Sequence, residues 1–254
     1  MIDLSLIWIL IIGLGVLIYV VLDGFDLGIG ILFPFIGDRQ ERDVMMNTVA
    51  PVWDGNETWM VLGGAGLFAA FPLVYSTVLS ALYMPIILMV IALIFRGVAF
   101  EFRFKANKTK HLWDQAFIWG SILSSFFQGL ILGAYIQGIE TTNGIYTGGG
   151  LDWLTPFSLF TGLSVVVLYA TLGCGWLIFK TEKMLQNRMF ELMPKLLISL
   201  LMIFACVSIY TPLAHPQIAE RWFSQPQLFY FSPVPVLVLL FTFLAIKACK
   251  QRKE

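Results

Sequence analysis

Four acidic side chains stand inside stretches that are otherwise apolar, and their spacing is helical. Asp23 and Asp26 fall in Leu22-Asp-Gly-Phe-Asp-Leu-Gly-Ile-Gly30, and Asp54 and Glu57 in Ala50-Pro-Val-Trp-Asp-Gly-Asn-Glu-Thr-Trp59. Each pair is i and i+3, which puts its two carboxyls on one helix face. At about 1.5 Å per residue, Asp26 lies roughly 15 Å in from the turn at Gly37-Asp38, and the second pair roughly 15–20 Å beyond Asp43. The two segments are joined by a short polar loop, so the pairs sit at similar depth. Pro51 and Gly55 loosen the backbone beside the second pair.

A charged acid in the middle of a bilayer costs at least about 2.5–3.5 kcal/mol. Such acids face a bundle interior, pair with a base or hold a proton, and mark a proton or ion path. The other reading is structural: Asp23 or Asp26 bonds helix backbone or an arginine such as Arg96. A second patterned stretch, Phe95-Arg-Gly-Val-Ala-Phe-Glu-Phe-Arg-Phe-Lys105, holds that arginine. Its basic residues either snorkel between aromatic rings at an interface, or Arg96 and Glu101 pair with acids or a partner subunit. Trp53, Asn56, Arg96, Glu101 and Arg103 are therefore candidates for structural or interface roles, and Asp54, Glu57, Asp23 and Asp26 for a proton path.

Other chemistry is scarce. The two histidines, His111 and His215, fall in loops. A haem inside a bundle needs axial ligands there, and methionines within the apolar runs read as packing. Cys174, Cys206 and Cys249 form no Cys-x-x-Cys pair. No cofactor or metal bound by this chain alone is expected, and no nucleophilic triad.

The elements that position these acids follow from composition. The 254 residues are 58% hydrophobic and 13% charged, where a soluble domain carries roughly 25% charge. Mean hydropathy is +0.82. An all-α, polytopic transmembrane helix bundle is expected, and water-soluble enzyme folds are excluded. Runs near the ~20 residues needed to cross hydrocarbon give seven spans, at about 4–34, 46–71, 77–97, 114–137, 155–179, 196–214 and 233–248. Pro72 marks the break between the second and third. With seven spans, all of the 16 basic residues but Arg221 fall on one side. The positive-inside rule makes that side cytoplasmic and the N-terminus periplasmic. The N-terminus has no basic region or cleavage site and reads as a retained first span. Net charge is zero, which gives no reason to expect nucleic acid.

The motifs resemble a known family. Asp23-Gly-Phe-Asp-Leu-Gly-Ile-Gly30, Ala50-Pro-Val-Trp-Asp-Gly-Asn-Glu-Thr-Trp59, Phe68-Ala-Ala-Phe-Pro72 and Phe95-Arg-Gly-Val-Ala-Phe-Glu-Phe-Arg103, in that order, are similar to subunit II of the cytochrome bd-type quinol oxidases. The Asp-Gly-Asn-Glu form looks most like the cyanide-insensitive branch. The first hundred residues carry nearly all of the likeness, and residues 113–254 match in span pattern.

The resemblance implies a haem-free subunit in the bacterial inner membrane, paired with a haem-bearing subunit I that holds b and d haems. It implies oxidation of quinol and reduction of oxygen at the level of the complex, a small single-span peptide as a further partner, and contact with membrane lipid. It also implies a structural quinone in some members and cytoplasmic protons conducted toward the oxygen-reducing site. Asp54 takes the family position most often tied to proton delivery and haem assembly. Asp23 and Asp26 match the first-span motif, and Glu57 stands where other members carry Gln. The family normally has nine spans. Residues 1–137 are then a first four-helix bundle with the acidic motifs, and residues 138–254 the remaining spans, incomplete at the C-terminus. Two other readings of the same acids remain: a proton-coupled secondary transporter, which predicts an internal repeat that the two halves do not display, and a purely structural scaffold.

Overall fold

A computed structural model describes residues 3–214 and 216–252; the expectations resting on His215 and Lys253 lie outside the described residues. Lipid offers no partner for backbone N–H and C=O groups, so apolar runs satisfy them internally as helices. Ten helices form among the described residues: α1 (Leu4–Leu32), α2 (Arg39–Asn47), α3 (Trp53–Ala70), α4 (Pro72–Arg103), α5 (Lys110–Gln137), α6 (Pro156–Lys180), α7 (Lys183–Ala214), α8 (Pro216–Phe223), α9 (Gln227–Phe231) and α10 (Pro233–Lys250). The all-α architecture agrees with the sequence reading.

Among the described residues, six helices are long and apolar enough to cross a membrane. The run at 46–71, expected as a seventh span, is realised differently. It breaks at a turn over residues 48–52, where Pro51 supplies no N–H, and resumes as α3, 18 residues long. Asp54, Glu57 and four glycines lower the hydropathy of α3, which is not among the six. It ends at Phe71, before Pro72 at the first position of α4, where the break was expected.

The chain divides into two compact units, one ending at Lys180 and one beginning at Thr181. In the first, α1 packs against α3, α5 and α6, and α4 packs against α3 and α5. Sequential neighbours run antiparallel. Gly63 and Gly66 of α3 face Val16 and Ile12 of α1, and Gly120 of α5 faces Ala92 and Arg96 of α4. This register gathers the C-terminal ends of α1, α4 and α6 with the N-terminal ends of α3 and α5, so Arg42, Arg103, Lys110 and Lys180 share one end. The tightest crossing joins α1 to α6: a Cβ on Gly28 would collide with the Tyr169 carbonyl and meet the Gly173 nitrogen at 2.8 Å. Small residues here let two backbones touch. Beside them Phe25 stacks on Trp176, with ring centroids 4.1 Å apart.

Two short connectors matter to the site. Asp38 caps α2, its Oδ1 accepting from the Gln40 and Glu41 amides. At the opposite end of the unit, Thr141–Thr142 (β1) and Ile145–Tyr146 (β2) form a small antiparallel hairpin. Asn143 and Gly144 turn it with φ of 53° and 79°, the two positive values that a tight hairpin needs. In the second unit α7 and α10 pack together, and Arg252 donates to Asn187 at 2.6 Å.

Candidate functional site

Three carboxyls converge on one guanidinium inside the first unit. Asp23 and Asp26 come from α1, Glu57 from α3 and Arg96 from α4. Arg96 Nη1 donates to Asp23 Oδ1 at 3.0 Å and to Glu57 Oε1 at 3.3 Å. Its Nη2 lies 3.9 Å from Asp26 Oδ2, which also accepts from Asn56 Nδ2 at 2.8 Å. Asp23, Asp26 and Arg96 are wholly buried, while the Glu57 side chain keeps 21% exposure. The guanidinium is roofed by aromatic faces: its carbon sits 5.6 Å from the Phe100 ring centre and 6.0 Å from that of Trp53. Those two rings stack on each other at 4.8 Å.

Local sequence and helix packing together produce this convergence. Asp23 and Asp26 share one face of α1, in the C-terminal part of the helix that is enclosed by its neighbours. Asn56 and Glu57 follow the α2–α3 turn, so α3 begins beside Asp26. Arg96 sits where α4 crosses Gly120, with no side chain from α5 to displace it.

Charge counting decides what the cluster can do. With all three acids ionised, the single Arg96 would leave two negative charges uncompensated in a buried site. Uncompensated buried charge is expensive enough that groups take up protons to avoid it. Glu57 is the one partly exposed member among the four charged side chains of the cluster.

Other expected residues are placed elsewhere. Asp54 is exposed on α3 and makes no ion pair with Arg96. Glu101 is exposed and pairs with Lys105, its neighbour one turn on, at 3.6 Å. Arg103 is buried in a second cluster that the sequence reading did not assemble. Its Nε donates to Asp114 and its Nη1 to Asp43 at 2.6 Å. Lys110 Nζ donates to Asp43 Oδ2 at 2.9 Å, and Arg42 Nη1 to Asp114 Oδ2 at 3.1 Å. This cluster ties α2 to the α4–α5 hairpin at the basic end. Partial burial works against ionised Asp43, but the hydrogen bonds and charges of Lys110 and Arg103 prevail and hold its carboxyl below the usual range.

A third polar group was also missed. Gln128 Nε2 of α5 donates to the Tyr19 hydroxyl of α1 at 2.7 Å, and the Tyr169 hydroxyl of α6 donates to Gln128 Oε1 at 2.7 Å. The available signals were an amide within an apolar run and a tyrosine one turn before Asp23. Asp114, in Trp113-Asp114 at the start of α5, carried the signal for the second cluster.

Comparison with known proteins adds the following. Residues 4–254 match the family described as cytochrome bd terminal oxidase subunit II. The chain is 36% identical over 193 residues to the cytochrome bd-I ubiquinol oxidase subunit 2 of Escherichia coli strain K12, covering 73% of this chain and 51% of that one. It is 36% identical over 189 residues to a probable cytochrome oxidase subunit 2 of Haemophilus influenzae, covering 71% and 50%. It is 33% identical over 195 residues to the cytochrome bd ubiquinol oxidase subunit 2 of Bacillus subtilis, covering 75% and 57%. The chain spans about half the length of the curated relatives it matches.

Proposed function

Because the chain belongs to the cytochrome bd terminal oxidase subunit II family, we propose that it serves as the haem-free subunit of a membrane quinol:oxygen oxidoreductase and supplies protons to a haem-bearing partner. The observation that carries this reading is the excess of carboxyls over guanidinium in the buried cluster of Asp23, Asp26, Glu57 and Arg96. Haems in the partner would reduce oxygen, and that reaction consumes protons. The cluster's own donors are carboxylates and a guanidinium, which suit protons and offer iron neither imidazole nor thiolate. The haems are assigned to the partner on that chemistry.

The proposed route starts at the basic end, taken as cytoplasmic under the positive-inside rule. Protons enter at Glu57 and pass to Asp26. Arg96 keeps the cluster from filling completely, since its charge favours at least one anion. Asp54, exposed on α3 three residues before Glu57, is the transfer point toward the partner subunit, whose docking would cover it.

A structural reading draws on the same geometry: the Arg96 bonds bridge α1, α3 and α4. The test is to co-express the chain with the haem-bearing subunit and replace Glu57 by Gln, Asp26 by Asn and Asp54 by Asn, one at a time. Proton supply requires haem spectra that stay normal while oxygen consumption falls. Normal oxygen consumption in all three variants leaves only the structural role.

A further inference from the structure

Tyr19, Gln128 and Tyr169 join α1, α5 and α6 through two hydrogen bonds in the interior of the first unit. Neither tyrosine belongs to the acid cluster, yet Tyr19 precedes Asp23 by four residues and shares its helix face. The two side chains lie one turn apart on that face and interact. Asp23 Oδ1 is taken by Arg96, whereas Asp23 Oδ2 is buried without a hydrogen-bond partner of its own.

The donors and acceptors fix the direction of the chain. Tyr169 donates to the Gln128 carbonyl, and the Gln128 amide nitrogen donates to the Tyr19 oxygen. Tyr19 therefore has its own proton left to give, and one turn on along the same face Asp23 Oδ2 is a buried acceptor without a donor. Rotating the Gln128 amide by half a turn would draw that proton to Gln128 and strip the buried carboxylate of a donor, which is the costlier arrangement. An amide nitrogen that donates has no lone pair with which to receive a proton. The chain consequently orients Tyr19 and stops, and no proton travels through it to Tyr169.

We infer that Tyr19, oriented by Gln128 and Tyr169, is a positioning residue that donates to the second oxygen of Asp23 and reserves Asp23 as the fixed anion beside Arg96. Exchange is then left to Asp26 and Glu57. The groups around Asp23 are Tyr19 and Asp26 on α1, Glu57 on α3, Arg96 on α4, and Tyr169 on α6; α5 contributes the neutral Gln128. Among the three acids, Asp23 alone then has a donor for each oxygen, counting Arg96 and Tyr19. This inference rests on the proton-supply reading.

The test uses the membrane complex with its haem-bearing subunit. Infrared difference spectra of the carboxylic-acid carbonyl region, with bands assigned through Asp23→Asn, Asp26→Asn and Glu57→Gln, report which acid carries a proton. Tyr19→Phe keeps the ring and removes the donor. The protonated share of Asp23 should rise by about tenfold or more, as expected for losing one hydrogen bond to a charged group. An Asp23 band should appear that is absent from the Tyr19→Phe/Asp23→Asn double variant. Gln128→Leu frees the phenol and should give the same band more weakly; it decides the matter should Tyr19→Phe fail to assemble. No Asp23 band in whichever of these variants assembles overturns the inference. Normal oxygen consumption in Asp26→Asn and Glu57→Gln is a different failure, that of the proton-supply reading, and the infrared result is independent of it.

Discussion

Arg96 has the most to lose of any single side chain. It is fully buried and answers to three carboxyls from two other helices. Removing one partner of a buried ionic group strands the others and typically costs about 3–5 kcal/mol. Arg96→Leu should lower thermal stability by that order or abolish assembly, as a melting curve in detergent would register. Arg96→Lys should recover only part of the loss, because an ammonium is a point charge and cannot fork toward Asp23 and Asp26 together. Asp43 sets a pH dependence of known sign. Its carboxyl is held below the usual range by Lys110 and Arg103 against partial burial. Its contribution is therefore complete above the unfolded value of about 4 and disappears as pH falls through the lower folded value. Amide exchange in α2 should stay slow from neutral pH down to about 4 and accelerate below. Asp43→Asn should raise exchange at neutral pH and flatten the acid dependence.

Helices in this chain meet through missing side chains as much as through present ones. Gly28 and Gly173 bring α1 and α6 into backbone contact, and Gly120 makes room for Arg96 on α4. Gly28→Ala would push a methyl group into the Tyr169 carbonyl, and overpacking of this kind usually costs about 1–3 kcal/mol. Gly13 on the same helix has nothing within 4 Å of its would-be Cβ. Gly13→Ala should be neutral or gain up to about 1 kcal/mol from helix propensity. Comparing the two melting curves separates a contact effect from a propensity effect within one element. The α4 helix shows the opposite device. Pro85 cannot donate back to Ala81, and Leu82 leaves helical geometry at φ −117°, ψ 15°. The kink at Leu82 lies about four turns before Arg96 and so leaves the ion cluster on straight helix.

For the molecule as a whole, the decisive property is which end faces the cytoplasm. The first unit collects Arg42, Arg103, Lys110 and Lys180 at one end and the Thr141–Tyr146 hairpin at the other. If the basic end is cytoplasmic, a cysteine placed at Lys108 should react with an impermeant thiol reagent only in inverted vesicles. One placed at Gly150 should react only in intact cells. The reverse pattern would put Glu57 on the wrong side for uptake of cytoplasmic protons.

Much of this was legible in the residue order. Apolar run lengths, the break at Pro72 and the i,i+3 acids required a membrane-spanning all-α chain with carboxyls at depth, because hydrocarbon tolerates few alternatives. Motif order pointed to the family. Sequence also offered Arg96 as a partner for the acids without being able to choose between pairing and snorkelling. That choice depends on which face of α4 meets α1 and α3, and rotation about a helix axis is set by packing. The same limit hid the separation of Asp54 from Glu57: their shared helical face did not show that Glu57 would meet Arg96 while Asp54 stayed exposed. It hid too the union of Arg42, Asp43, Arg103, Lys110 and Asp114, contributed by α2, α4 and α5, and the Tyr19–Gln128–Tyr169 chain from α1, α5 and α6. Periodicity within one helix describes that helix alone. Which charges meet across helices is decided when their backbones close, here through glycines whose absent side chains fix the approach.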